Sequence, residues 1–264
     1  MKIVMMTDLE GVSGVVSFID QGYATGKYHE RAKKLLTAEV NAAIEGMLDE
    51  DVDDVLVIDG HGPGGIYFED LHPAAKLCHG RPVSDRIQRG EILKTYNAAI
   101  MIGQHAMAGT ELGNLNHTQS SETVEYYKLN GQLIGEIAQW ALHCGALELP
   151  MIFLSGDEAA CQEVQLLIPG ITTAAVKQGL SRTYAISCSP AEAHRRIREG
   201  VKIAIQKQRQ KPITPFKLPG PYVLEKRFFF THIADAVQTN PMYQRIDERT
   251  VRLKSDDILD IIYG

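Results

Sequence analysis

The sequence lacks most of the features that would announce a chemistry outright. Its four cysteines, Cys78, Cys144, Cys161 and Cys188, are widely spaced and form no CxxC pair. That argues against a disulfide framework and fits reduced, mostly buried thiols. No apolar run approaches the roughly 20 residues of a membrane span. Nor does the N-terminus resemble a signal peptide, since Lys2 leads straight into a short strand-like run. A cytoplasmic protein without a membrane partner is therefore expected. Lys and Arg total 27 against 33 Asp and Glu, a formal net charge of -6. Phosphate binding needs a basic face, so no nucleic-acid partner is expected either. Gly60 to Gly65 is not followed by Lys-Ser or Lys-Thr, and only Gly11 and Gly14 follow the first apolar run. Phosphate-loop and dinucleotide fingerprints are thus missing, as are the GxSxG elbow and the HExxH zinc motif.

What is present is an ordinary globular composition, with 264 residues, 44% hydrophobic and 23% charged. This suffices for one large domain, or a domain plus an appendage. Residues 2–6 read as a buried strand, as do 54–58, 98–102 and 151–154, with a further one at 172–176. A helix is expected from Tyr28 to Glu50, where Leu36, Val40, Ala43 and Met47 make one apolar face. Another should run from the Ser189-Pro190-Ala191-Glu192 start to Gln210, with Ile197, Val201, Ala204 and Ile205 inward. Asn130-Gly131 marks a hairpin between 123–129 and 132–134, followed by a helix from Gly135-Glu136 to about Cys144. Beyond the proline-rich connector 212–221, a strand at 222–230, a helix near 232–238, strands within 243–253 and a last helix from Ser255 are expected. Strands alternating with helices predict an α/β fold: a mostly parallel central sheet with flanking helices, plus a small C-terminal α+β portion. The expected division is a larger α/β domain over 1–211 and a smaller α+β appendage over 212–264.

The first strand ends in Asp8 and Glu10, two residues apart and able to share a face if extended geometry persists. Two like charges side by side are unfavourable without a cation, a proton or a basic partner between them. Asp59 and His61 follow the second strand, His105 the third, and Asp157 the fourth. Ligands in open α/β sheets bind at such strand ends. Each residue also has a plainer role as a turn former, a helix cap or a buried histidine, and Glu136 is favoured at a helix start by the dipole alone. No single structural role explains Asp8, Glu10, His61, His105 and Glu136 together. Imidazole with carboxylate suits Zn²⁺, and also Mn²⁺, Co²⁺ or Fe²⁺. Five ligands exceed the usual three of one catalytic zinc, and two metals sharing Asp8 would use them all. His117, in the loop Gly113–Thr118, is a candidate proton carrier. The other histidines have no comparable placement.

These residues carry a resemblance. Thr7-Asp8-x-Glu10-Gly11, Asp59-Gly60-His61-Gly62, Gly103-Gln104-His105-Ala106, His117, Gly135-Glu136 and Thr172 to Lys177 resemble, in order and spacing, the zinc-dependent D-aminopeptidase family. The likeness extends to about residue 215. Thr7 stands where serine is frequent in that family, and Gly60 where some members carry serine. The resemblance implies two zinc ions held by Asp8, Glu10, His61, His105 and Glu136, with His117 as the catalytic histidine. It implies release of N-terminal D-amino acids from short peptides, and a ring-shaped homo-oligomer, typically a decamer. Lys177 is a candidate partner for an oxyanion or a carboxylate. The competing readings are another metallohydrolase, such as an amidohydrolase or phosphoesterase, and a non-catalytic peptide-binding protein.

Overall fold

The structure is a computed structural model describing residues 1–264. Along the chain it contains β1 (Lys2–Thr7), α1 (His29–Leu48), β2 (Asp54–Asp59), β3 (Ala75–Cys78), α2 (Arg86–Leu93), β4 (Ala98–Gln104), β5 (Val124–Leu129) and β6 (Gln132–Ile134). There follow α3 (Glu136–Ala146), β7 (Met151–Asp157), α4 (Glu158–Leu167), β8 (Thr172–Ser181), β9 (Tyr184–Ser187) and α5 (Pro190–Gln210). The chain closes with β10 (Tyr222–Phe228), α6 (Thr231–Val237), β11 (Gln244–Arg245), β12 (Thr250–Ser255) and α7 (Ile258–Ile261). Seven strands form one sheet in the order β3-β2-β1-β4-β7-β8-β9. All its pairings are parallel except that of β9 with β8. The expected mostly parallel sheet with flanking helices is therefore present.

Alternation along the strands puts successive side chains on opposite faces. Ile3 and Met5 of β1 enter one core with Leu36, Val40 and Met47 of α1 and Ile197, Val201 and Ile205 of α5. Val4 enters the other core, with Met101, Leu154, Trp140 and Val164. The apolar faces anticipated on α1 and α5 are the buried ones, and Ser189 caps α5 by accepting from the Glu192 amide at 3.4 Å.

The second sheet, β11-β12-β10-β5-β6, is antiparallel. It combines the Asn130-Gly131 hairpin with the C-terminal strands, through the register Leu224↔Leu129 to Phe228↔Val124. A cut at residue 211 would sever that pairing. Helix α3 lies between the sheets. Ile137, Trp140, Ala141 and Cys144 face the parallel sheet, while Ala138 and Leu142 face the antiparallel one. A helix apolar on both sides is a buried helix, and this one carries Glu136 into the interior from its first turn.

Several elements go beyond the sequence reading. Helix α4 is held by Ala160, Cys161 and Val164, a stripe too short to stand out. Strands β3 and β9 lie at the edges of the sheet with half-exposed side chains. Of the cysteines, Cys144 and Cys161 are buried, Cys188 is intermediate and Cys78 exposed, all as free thiols. No helix is long and apolar enough to cross a membrane.

The chain crosses from β1 to β2 on one side and later to β4 on the other, so the strand order reverses beside β1. This is where open α/β sheets leave a crevice. The two loops at its lip are pressed together. The Asp8 amide donates to Ile102 carbonyl at 2.9 Å and the Gly11 amide to Gly103 carbonyl at 2.7 Å. Gly103 has φ +76°, and a Cβ there would lie 2.0 Å from the Asp8 carbonyl oxygen. Replacing Gly103 by alanine is expected to destabilise the fold by about 2–4 kcal/mol, read as a lower urea midpoint. An unchanged midpoint would contradict this close approach.

Candidate metal centre

Three of the anticipated residues leave the ends of adjacent parallel strands: Asp8 after β1, His61 after β2 and His105 after β4. Glu10 follows Asp8 in the same loop, and Glu136 arrives from the first turn of α3. Asp8, Glu10, His61 and His105 are buried, and Glu136 is partly so. The Asp8 carboxylate is split between two imidazoles. Its Oδ1 lies 3.3 Å from His61 Nδ1, and its Oδ2 lies 3.1 Å from His105 Nε2. His61 Nδ1 is also 3.1 Å from Glu10 Oε2, and His105 Nε2 is 3.5 Å from Glu136 Oε1. His117 stacks on His105 with ring centroids 3.9 Å apart, and its Nε2 lies 3.8 Å from Glu136 Oε1.

The surroundings orient every donor. His61 Nε2–H donates to Gly22 carbonyl at 2.7 Å, His105 Nδ1–H to Ala106 carbonyl at 2.8 Å, and His117 Nδ1–H to Leu115 carbonyl at 2.9 Å. In each ring the second nitrogen is thereby turned towards the carboxylates, as in histidines that ligate metals. The Asp8 Oδ1 accepts from the Leu9 amide at 2.9 Å, and Glu136 Oε1 from the Gln119 amide at 2.7 Å. Lys177, buried, donates through Nζ to the carbonyls of Glu10 and Val15. It thus clamps the loop that carries Glu10 rather than facing the carboxylates.

This donor set fits a cation on two counts. Glu10 Oε2 and His105 Nε2 are buried and make no well-directed hydrogen bond, although His61 Nδ1 and Asp8 Oδ2 stand 3.1 Å from them, a costly state unless something else engages them. Donors around a tetrahedral zinc, each about 2.1 Å from the ion, stand about 3.4 Å apart. The His–carboxylate separations above fall close to that edge length. The close groupings are Asp8, Glu10 and His105, and His105, His117 and Glu136. His117 therefore stands near enough to be a ligand as well as a proton carrier.

Electrostatics describe the same tension. Burial opposes charging of His61, yet Glu10 and Asp8 push its pKa up to about 11. His105 is likewise buried and raised by Glu136 and Asp8. Burial would raise Asp8, but His105 and His61 hold it well below the usual carboxylate range. His117 is lowered by burial and by the neighbouring His105, which keeps its imidazole neutral.

Other anticipated residues play structural parts. Asp59 accepts from the amides of Gly65 and Ile66 and closes the glycine-rich turn. Asp157 accepts from the amides of Asn114 and Gly179. Residues the sequence reading passed over complete the site. Phe18 meets His117 edge-on at 5.4 Å, and Gln104 Nε2 reaches Asp8 Oδ2 at 3.4 Å. Gln104 stands inside the Gly103–Ala106 motif and could have been noticed there, whereas Phe18 carries no signal of its own.

Comparison with known proteins identifies the family. A family described as D-aminopeptidase matches residues 1–263. A D-aminopeptidase of Bacillus subtilis strain 168 is 34% identical over 219 residues, covering 81% of this chain and 78% of that protein. The solved structure of the zinc-dependent D-aminopeptidase DppA from Bacillus subtilis, described as a self-compartmentalizing protease, superimposes with a TM-score of 0.87. That match is 29% identical and covers 99% of this chain and 94% of the other. With almost its whole length matched, the chain belongs to the D-aminopeptidase family and is an aminopeptidase.

Proposed function

We propose that this aminopeptidase releases N-terminal D-amino acids from short peptides and uses two zinc ions held by Asp8, Glu10, His61, His105 and Glu136. The observation that carries the proposal is the division of Asp8, whose two oxygens face two different histidines. A carboxylate placed this way suits a bridge. Glu10 and His61 would complete one site, and His105 and Glu136 the other. Zinc supplies Lewis acidity and brings the pKa of a bound water towards about 7. Zinc dependence in the Bacillus subtilis relative supports the choice of metal.

The protein's own groups do the rest. The His117 Nδ1–H is committed to Leu115 carbonyl, leaving Nε2 to accept a proton from the attacking water and return it to the departing amine. Stacking on His105 and the edge contact with Phe18 fix the ring plane. Lys177 holds the Glu10 backbone in place by donating to its carbonyl. Assembly into a homo-oligomer is part of the proposal, supported by the self-compartmentalizing character of that relative.

A panel of D-alanyl oligopeptides, their L counterparts and a phosphate ester tests the reaction. D-peptide cleavage that disappears on chelation is expected. Phosphatase activity without peptide cleavage would favour the phosphoesterase reading. Replacing His117 by alanine is expected to lower kcat/KM by about 10²–10⁴-fold while bound zinc stays near the wild-type level. Loss of zinc from that variant would make His117 a ligand instead.

A further inference from the structure

Glu163 belongs to α4, an element that supplies none of the residues gathered at the centre. Its side chain is buried, 9% exposed. Oε2 accepts from the Met107 amide at 2.8 Å, two residues beyond His105. Oε1 sits against Gly135, the residue before Glu136. A Cβ built on Gly135 would lie 2.9 Å from that oxygen and 2.5 Å from Met107 Cβ. One carboxylate therefore touches both the segment that carries His105 and the segment that carries Glu136, where the two meet. Burial is the largest influence on its pKa and pushes it up to about 7; the Met107 amide and His105 oppose that shift, and Glu136 adds to it.

Packing does not account for an acid at this position. Ala160, Cys161 and Val164 already anchor α4 in the core. Glu163 Oε1 is buried without a hydrogen-bond partner, which costs stability. What the carboxylate supplies is an acceptor for one amide and a negative charge beside the start of α3. That helix begins at Gly135 without a side-chain cap, and a carboxylate near a helix start is favoured by the dipole. Glu10 and His61 are held by different groups, the Lys177 ammonium and the Gly22 carbonyl. Glu163 serves only the other pair.

We propose that Glu163 is a positioning residue for one of the two zinc sites, fixing the spacing between the segments that bring His105 and Glu136 to the same ion. The inference rests on the two-zinc reading above. Groups that hold a metal-bearing segment from behind set the aim of its ligands, and losing one weakens metal binding by about 10–100-fold. The loss here falls on one ion and spares the other.

The test follows zinc uptake by the metal-free protein in equilibrium dialysis against buffered zinc, with urea midpoints, in wild type, Glu163→Met and Glu163→Gln. In Glu163→Met, one zinc is expected to bind as in wild type and the other about 10–100-fold more weakly. Glu163→Gln keeps an acceptor for the Met107 amide and should recover both affinities to within about threefold. Adding Glu163→Met to Glu136→Gln should weaken zinc no further than Glu136→Gln alone, since both act on the same ion. Should the methionine variant not fold, Glu163→Asp keeps the charge, draws the oxygens back by one methylene and is expected to show the same one-sided loss. Two wild-type affinities in Glu163→Met would overturn the inference. So would an equal weakening of both ions that tracks the urea midpoint, because Glu163 would then support only the fold. A wild type that takes up fewer than two zinc ions would refute the two-zinc reading itself, and that result needs no variant to recognise.

Discussion

One carboxylate between two imidazoles governs this structure. Asp8 faces His61 with one oxygen and His105 with the other, and all three are buried at the ends of adjacent parallel strands. In a low-dielectric interior such a group is tolerated only when its charges and lone pairs are answered. The protein answers the outer atoms thoroughly, with the carbonyls of Gly22 and Ala106 and the amide of Leu9. Inside, Glu10 Oε2 and His105 Nε2 make only poorly directed contacts, with His61 and Asp8. The scaffold has fixed the orientation of every donor around a point where a cation is the natural completion.

The rest of the fold can be understood as holding that arrangement. The β1 and β4 loops touch closely enough that Gly11 and Gly103 leave no room for a Cβ. Lys177 reaches from β8 to clamp the Glu10 and Val15 carbonyls. Helix α3, apolar on two sides, packs between the two sheets and delivers Glu136 from its first turn. The second sheet therefore supports the site indirectly, since its core fixes the helix that brings in that carboxylate. Phe18 meets His117 edge-on, stacks with Tyr23 at 6.0 Å and carries the Arg182 guanidinium over its ring.

Much of this was legible in the chain because parallel strands write themselves as apolar runs and leave their ligands where the runs stop. Asp8, His61 and His105 could be picked out that way, and so could the sheet they terminate. Glu136 gave a weaker signal. A carboxylate in the first turn of a helix has a sufficient local reason to exist, so it counted as a ligand only through the joint pattern with the other four. Pairing of β5 with β10 joins residues about a hundred positions apart, and local periodicity holds no record of such contacts. Edge strands β3 and β9 bury too little of themselves to show a pattern.

The central claim is that these acids and imidazoles await divalent cations rather than satisfying one another. Without a cation the Glu10 and Asp8 charges keep His61 protonated, its pKa pushed up to about 11, so cation binding has to displace protons. Calorimetric titration of the metal-free protein with zinc, repeated in buffers of different ionisation enthalpy, measures stoichiometry and proton release together. The account predicts two zinc ions per chain and net proton release at neutral pH. Absence of tight binding, or uptake without proton release, would show that the carboxylates and histidines simply neutralise each other.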